Sequence, residues 1–442
     1  MATRTWLGNA IDIAQKNTVT IANTWATSDT ATLTINGKSL VVTIGSLVTT
    51  AQVATTIQQA VEGISFTDTT ASVTPTDGKD DFPELAEYDA TVSGSVVTLI
   101  GKVKGKPITL TAAYTTAGSG TATAAAVTAG TGRNDFANAD NWSDETVPVT
   151  GGIIVFDSQG GSTSCLYNLA AGFANATIFI NKGFTGNIGL PNRHGNLIGG
   201  YSEYRDTHLT FTGTVTANIG DGVGLLGDRI KIKAATVTVN GHASGTSSTP
   251  SEPPIQIIAS TLATAHIRGG TIVLGHRDSD ATVIGGTWNI SGDADVTAGN
   301  GVDISSGTAL TIQQKGGSFL MDEDIDSYVS TQVVTYTQTG GIATINGSKL
   351  GNVTLSGGSR FNWNTTTGQH SGTVVYISDN AYLDFSSSTG SAVNTIERYS
   401  NTSTIDDRNK AVSSLVIDNN RCSDTSRLLL GNDFKITRAA TS

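Results

Sequence analysis

The stretch Gly285-Gly286-Thr287-Trp288-Asn289-Ile290 is one copy of an irregular repeat in which a glycine pair introduces a short apolar strand. The other copies are Gly269-Gly270-Thr271-Ile272-Val273-Leu274, Gly316-Gly317-Ser318-Phe319-Leu320-Met321, Gly340-Gly341-Ile342-Ala343-Thr344-Ile345 and Gly357-Gly358-Ser359-Arg360-Phe361. The step from one start to the next is uneven, shortest from Gly269 to Gly285 and longest from Gly285 to Gly316. Such steps fit one coil, or one coil with an inserted loop, of a parallel β-solenoid whose short strands stack on matching strands of neighbouring coils. Corners of a coil need a positive φ or close backbone approach, so the pattern predicts Gly286 and Gly358 at corners. The competing architecture is a large β-sandwich with glycine-rich hairpins, which would space its strands more regularly, by about 8–12 residues, and use more Asn-Gly turns.

Composition agrees with an almost wholly β chain. Of 442 residues only 14% are charged, while glycine reaches 51 and proline only 8. Long soluble helices need Glu, Lys and Leu, whereas the excess here is of Thr, Ser, Gly, Ala, Val and Ile, which suits half-buried strands and tight turns. The formal net charge of −11 argues against nucleic acid as a partner, because neutralising phosphates requires a basic surface. No apolar run approaches the roughly 18 residues of a membrane span, and the first residues, Met1 to Asn9, lack the apolar region of a secretory signal. Cys165 and Cys422 are too far apart in sequence for a CxxC motif and read as separate reduced thiols.

Ahead of the repeat the period differs. Thr32-Leu33-Thr34-Ile35 and Leu40-Val41-Val42-Thr43-Ile44 flank Asn36-Gly37, the signature of a two-residue hairpin. Val53, Ile57 and Val61 then recur at helical spacing, Thr49 with Gln52 forms a capping-box pattern, and Gly63 stands where a helix would stop. Ile57 is expected to face a sheet and Gln58 the opposite side. Further strands are expected at 90–92, 96–100 and 107–114. The predicted organisation is an N-terminal arm (1–17), a small α+β domain (18–114) with one helix over about 49–62, a Thr/Ala/Gly linker and the turn into the next region (115–149), and the solenoid (150–442).

Candidate chemistry is sparse. Asp293 and Asp295 alternate in an expected strand, which would set both carboxylates on one face about 6–7 Å apart, near the lower limit for an inverting glycosidase. They sit beside Gly292 at a turn, without an adjacent aromatic platform. Asp322, Asp324 and Asp326 alternate and offer oxygen ligands for a hard cation such as Ca²⁺, but Ser327 and Val333 break the EF-hand pattern, so a solvated acidic loop is the competing reading. Gly222, Gly224 and Gly227 match G-x-G-x-x-G, yet Ile230-Lys231-Ile232-Lys233 after them alternates as a strand and gives no helix N-terminus for a pyrophosphate. His194, His208, His242, His266, His276 and His370 are scattered, and no G-x-S-x-G elbow occurs. Trp288 and Trp363 are candidates for sugar stacking or for an intersubunit seam, with Tyr328, Tyr336, Tyr376 and Tyr382 in the same half. Against that, a chain with only 6% aromatics has first need of them in its core. No cofactor is expected.

The order of Trp6 and Gly8, the segment Thr32-Leu33-Thr34-Ile35-Asn36-Gly37-Lys38, the Lys106-Pro107-Ile108-Thr109-Leu110 strand, Asn141-Trp142-Ser143 and Val147-Pro148 resembles structural proteins of tailed bacteriophages and prophages. The likeness is best from the N-terminus to just past Val147-Pro148. It implies a virion component on the particle exterior, made in the host cytoplasm and often trimeric, with other virion proteins such as the major capsid protein as partners. The expected function is a non-enzymatic capsid decoration docked by its N-terminal domain. The alternatives are a tail spike or fibre that binds or cleaves host surface glycan, as a polysaccharide hydrolase or lyase, and a cell-surface adhesin.

Overall fold

The computed structural model describes residues 2–74, 87–190, 207–220, 230–241, 255–269, 271–274, 282–292, 294–298, 302–303, 310–321, 334–346, 350–364, 374–387, 395–408, 415–420, 422–423, 426–430 and 434–438. Its main body is a parallel β-solenoid. From β10 (Gly152–Phe156) and β11 (Ala176–Ile180) to the strand Phe434–Arg438, each strand pairs in parallel with its counterpart one coil away. Parallel pairing throughout excludes the β-sandwich, whose sheets are antiparallel.

Alternation along each strand builds the core. Ile154, Ile178, Ala217, Val239, Ala265, Trp288, Ile312, Tyr336, Val353, Val375, Ile396 and Ile417 stand in one register column, and all are fully buried. Its two aromatic members, Trp288 and Tyr336, meet rings that other strands bring to the core. Trp288 meets Phe319, Phe319 meets Tyr336, Tyr336 meets Phe361, and Phe361 meets Trp363, with ring centroids 5.2–6.2 Å apart. Trp288 and Trp363 are therefore spine residues of the solenoid and not a sugar platform, since their rings have no exposed face. Scarce large rings go where they bury the most apolar area.

Two residues along from that column stand Gln314 and Gln338, both fully buried. Gln314 Nε2 donates to the carbonyls of Gly317 and Ile342, and Gln338 Nε2 to those of Gly341 and Arg360, so each amide ties its own corner to the next coil. Tyr336 donates to Gln314 Oε1 at 2.6 Å. At the corners Gly317, Gly341 and Gly357 have positive φ. The expected corner residues are corrected: Gly358 lacks a positive φ and Gly286 lies within the strand Thr282–Ile290, paired with Leu310. The second glycine of a pair takes the bend at 317 and 341, but the first takes it at 357. Pair position alone does not set the coil phase.

The chain's start belongs to the solenoid. β1 (Thr3–Thr5) pairs in parallel with β10 and forms its first rung, so residues 1–17 are no separate arm. Trp6 packs edge-on to Trp142 at 5.2 Å, and Phe136 and Phe156 complete an aromatic cluster over that end. Trp6 donates to Thr163 O, Trp142 to Phe136 O, and Asn141 Oδ1 accepts from Ala10 N. The Trp6 and Asn141-Trp142 motifs, far apart in sequence, thus form one cap.

Between β1 and β10 the chain leaves to build an inserted α+β domain. Its strands are β2 (Lys16–Ala22), β3 (Thr30–Ile35), β4 (Lys38–Thr43), β5 (Ser72–Thr74), β6 (Tyr88–Ser93), β7 (Val96–Gly101), β8 (Leu110–Thr115) and β9 (Thr121–Thr128). They form two antiparallel sheets, ordered β6-β7-β2-β9 and β5-β4-β3-β8. The helix α1 (Thr50–Glu62) shares their core through Val53, Ala54, Ile57, Ala60 and Val61. β9 corrects the expected linker over 115–149. Its small residues bury only Ala122, but its backbone pairs with β2 along the whole strand, and that stability needs no large side chain. Because β2 and β9 are neighbours, the chain enters and leaves the domain at one place. Asp12 and Arg133 bridge there at 3.0 Å.

Candidate functional site

A cluster of charged and aromatic side chains occupies the outer face of three successive C-terminal coils. The strands Arg360–Asn364, Tyr382–Asp384 and Thr404–Asp407 follow equivalent corners and pair in parallel. Register brings Arg360 beside Tyr382 and stacks Asn362, Asp384 and Asp406, each one coil from the next. Phe361, Leu383 and Ile405 between them point inward and are fully buried, so these neighbours project outward.

Asp384 and Asp406 hold register-neighbour positions, where adjacent strands run about 4.8 Å apart. Paired carboxylates at such spacing are the first requirement of glycoside hydrolysis. Their surroundings decide what they can do. Arg360 Nη2 meets Asp384 Oδ2 at 2.9 Å, and the other Asp384 oxygen accepts from Ser386 N. The Arg360 guanidinium lies over the Tyr382 ring, 5.1 Å from its centroid, and its Nε donates to Asn362 Oδ1. Arg408 grips Asp406 with two donors, Nε to Oδ1 at 2.9 Å and Nη2 to Oδ2 at 2.7 Å. Tyr382 donates to Asp406 Oδ2 at 2.6 Å.

Protonation follows from these contacts. Burial pushes the Asp406 carboxyl up, but the hydrogen bonds from Arg408 and Tyr382 together outweigh it and hold the group below its ordinary range. Burial, then the hydrogen bond to Asp406, pushes the Tyr382 hydroxyl up to about 12. Asp406 is thus ionised at neutral pH and has no proton to donate to a leaving oxygen, while Tyr382 stays protonated and cannot serve as a base. The cluster neutralises two buried carboxylates and pins neighbouring coils together.

Of the other candidates, Asp295 opens the strand Asp295–Ala298, in register with Thr271 and Ser318. Asp293, Asp322, Asp324, Asp326, Tyr328, Gly222, Gly224, Gly227, His194, His242, His276 and His370 lie outside the described residues. Tyr336 is buried in the core, and His208 is buried with Nδ1 2.8 Å from Thr207 Oγ1. Ile230-Lys231-Ile232-Lys233 starts a strand, Ile230–Gly241. Among the described residues no three His, Cys, Asp or Glu come together in a group able to hold a metal ion, and no helix is long and apolar enough to cross a membrane. Cys165 and Cys422 are buried thiols that form no disulfide, and burial pushes the Cys165 thiol well up. The Arg360 to Arg408 cluster escaped sequence reading because the glycine pairs that mark the coil phase end at Gly357. The equal spacing of Asn362, Asp384 and Asp406 was the signal left.

No protein-family model matches this sequence, and no curated protein matches it.

Proposed function

We propose that the protein is a non-enzymatic structural component of a tailed-bacteriophage virion. In this reading it is an exterior capsid decoration that docks through its inserted α+β domain, with the major capsid protein as partner, self-associates as a trimer, and projects its solenoid outward. A parallel β-solenoid is compatible with such a structural part and equally with a tail spike. The observation that carries the choice is the state of Asp384 and Asp406: this stacked carboxylate pair is occupied by arginines, and Asp406 is held without a proton. Burial of Trp288 and Trp363 also removes the aromatic platform on which a sugar-cleaving reading would lean. The net charge of −11 suits a surface that must not bind packaged DNA. The test is labelling of purified particles against this chain, together with assay of the purified protein on host capsule and lipopolysaccharide. Label on the head and no release of reducing ends is expected. Label confined to the tail, or saccharide release that Asp406→Asn abolishes, would overturn the proposal in favour of a tail-spike enzyme.

A further inference from the structure

The opposite register columns of the solenoid carry an array that the charged cluster does not use. Thr177, Thr216, Thr238, Thr264, Thr287, Thr311 and Thr335 occupy one position on seven successive rungs, each paired in register with the next. Two residues along each strand, Phe179, Asn218, Asn240, His266, Asn289, Gln313 and Thr337 form a second column, which continues to Thr354 and Tyr376. Ile178, Ala217, Val239, Ala265, Trp288, Ile312 and Tyr336 between the columns are all fully buried. Among the described side chains, alternation therefore turns both columns to the outside. Neither column contains a Lys, Arg, Asp or Glu from Thr177 to Tyr376, in a chain of net charge −11, and the first acid appears at Glu397.

We propose that this face binds a linear, neutral polysaccharide running along the solenoid axis. Hydroxyl and carboxamide groups both donate and accept, which matches the mixed donors and acceptors of sugar hydroxyls, and the rungs repeat every 4.8 Å or so, comparable with one pyranose ring of an extended chain. Asn240 Nδ2 donates to Asn218 Oδ1 at 3.0 Å, so this pair of carboxamides is held in line along the axis. Phe179 is exposed at one end of the second column and Tyr376 half-buried at the other, where rings suit the apolar faces of sugars. Absence of charge favours a neutral glycan over an anionic one. A second copy of the chain fits less well: the eight rung steps from Phe179 to Tyr376 span roughly 38 Å, and a strip about 10 Å wide then offers about 380 Å², against about 800 Å² per partner in a stable interface. The strip also lacks the central aromatic or arginine anchors of protein interfaces. Such binding does not depend on where the protein sits in a particle.

Titration of the purified full chain with cellohexaose, mannohexaose and maltohexaose tests it, with hexagalacturonate as the anionic control. At least one neutral hexasaccharide is expected to bind, and hexagalacturonate at least ten-fold more weakly. The triple variant Thr238→Val, Thr264→Val, Thr311→Val removes three hydroxyls while keeping β-branched strand residues, and should weaken binding ten-fold or more with an unchanged thermal melt. Thr123→Val, on the exposed edge of β9, should leave binding as it was. Failure of all three neutral probes overturns the proposal, as does equal binding by the triple variant with its fold intact. Concentration-dependent association of the wild type that the triple variant loses would overturn it too, and assign the face to self-assembly.

Discussion

Gly357 bends with φ at +61°, and a Cβ built on it would lie 2.4 Å from the carbonyl oxygen of Thr339 on the coil before. Gly358 has no positive φ and open space where a Cβ would go. Gly357→Val should therefore cost a few kcal/mol through strain and backbone clash, and Gly358→Val almost nothing. Thermal melts of the two variants check this, and equal shifts would remove the corner assignment. Asp406 makes a second case. Its carboxyl titrates lower in the folded protein than in the unfolded chain, so its stabilising contribution is fully present above the unfolded value of about 3.9 and is lost as pH falls through the lower folded value. Asp406→Asn, which leaves Arg408 without its carboxylate, should lower stability at pH 7, and the gap to wild type should narrow below about pH 4. Denaturant unfolding across that range decides, and a gap independent of pH would show that Asp406 is not the titrating group.

At the scale of elements, the helix is the part most fully written in local sequence. Thr49 caps Gln52 N, the Gln52 side chain returns to Thr49 N, and Gly63 closes the other end with φ at +63°. Thr49→Ala should cost about 1 kcal/mol. Ile57→Asp would bury an unpaired carboxylate in the shared core and should unfold the inserted domain, seen as loss of its melting transition while the solenoid transition persists. The reading of Gln58 as the free side is corrected, because Gln58 Nε2 donates to Ala90 O on β6. Ala51 is the exposed position, where a polar substitution should be silent. β9 was illegible for the opposite reason: Thr121 to Thr128 carries almost no hydrophobic signal, and its place comes from backbone pairing with β2.

For the whole molecule the decisive feature is the insertion. A deletion of residues 1–132 removes the solenoid's first rung and Trp6 along with the inserted domain, and uncovers Trp142 and Phe156. Joining Gln15 to Ala129 instead deletes the domain at two points that already lie together. The joined chain should stay soluble and keep the solenoid's circular dichroism, whereas the chain lacking 1–132 should aggregate. Under the proposed function the joined chain should also fail to enter particles. Incorporation at wild-type levels would move the docking surface onto the solenoid.

The sequence by itself determined the solenoid, the hairpin and the helix, because each rests on a local period: glycine pairs followed by short apolar strands, alternation around Asn36-Gly37, and the spacing of Val53, Ile57 and Val61. Tertiary structure alone decided which residues share a rung. Loop lengths vary from coil to coil, so the step from Thr216 to Thr238 is shorter than the step from Thr238 to Thr264, and no fixed spacing reveals the column. It also decided that Thr3 to Trp6 pair with β10 and Trp142 across the whole length of the inserted domain, and that Trp288 and Trp363 face inward. Backbone hydrogen bonding and burial between distant segments set these relations, and neither leaves a pattern among residues adjacent in the chain.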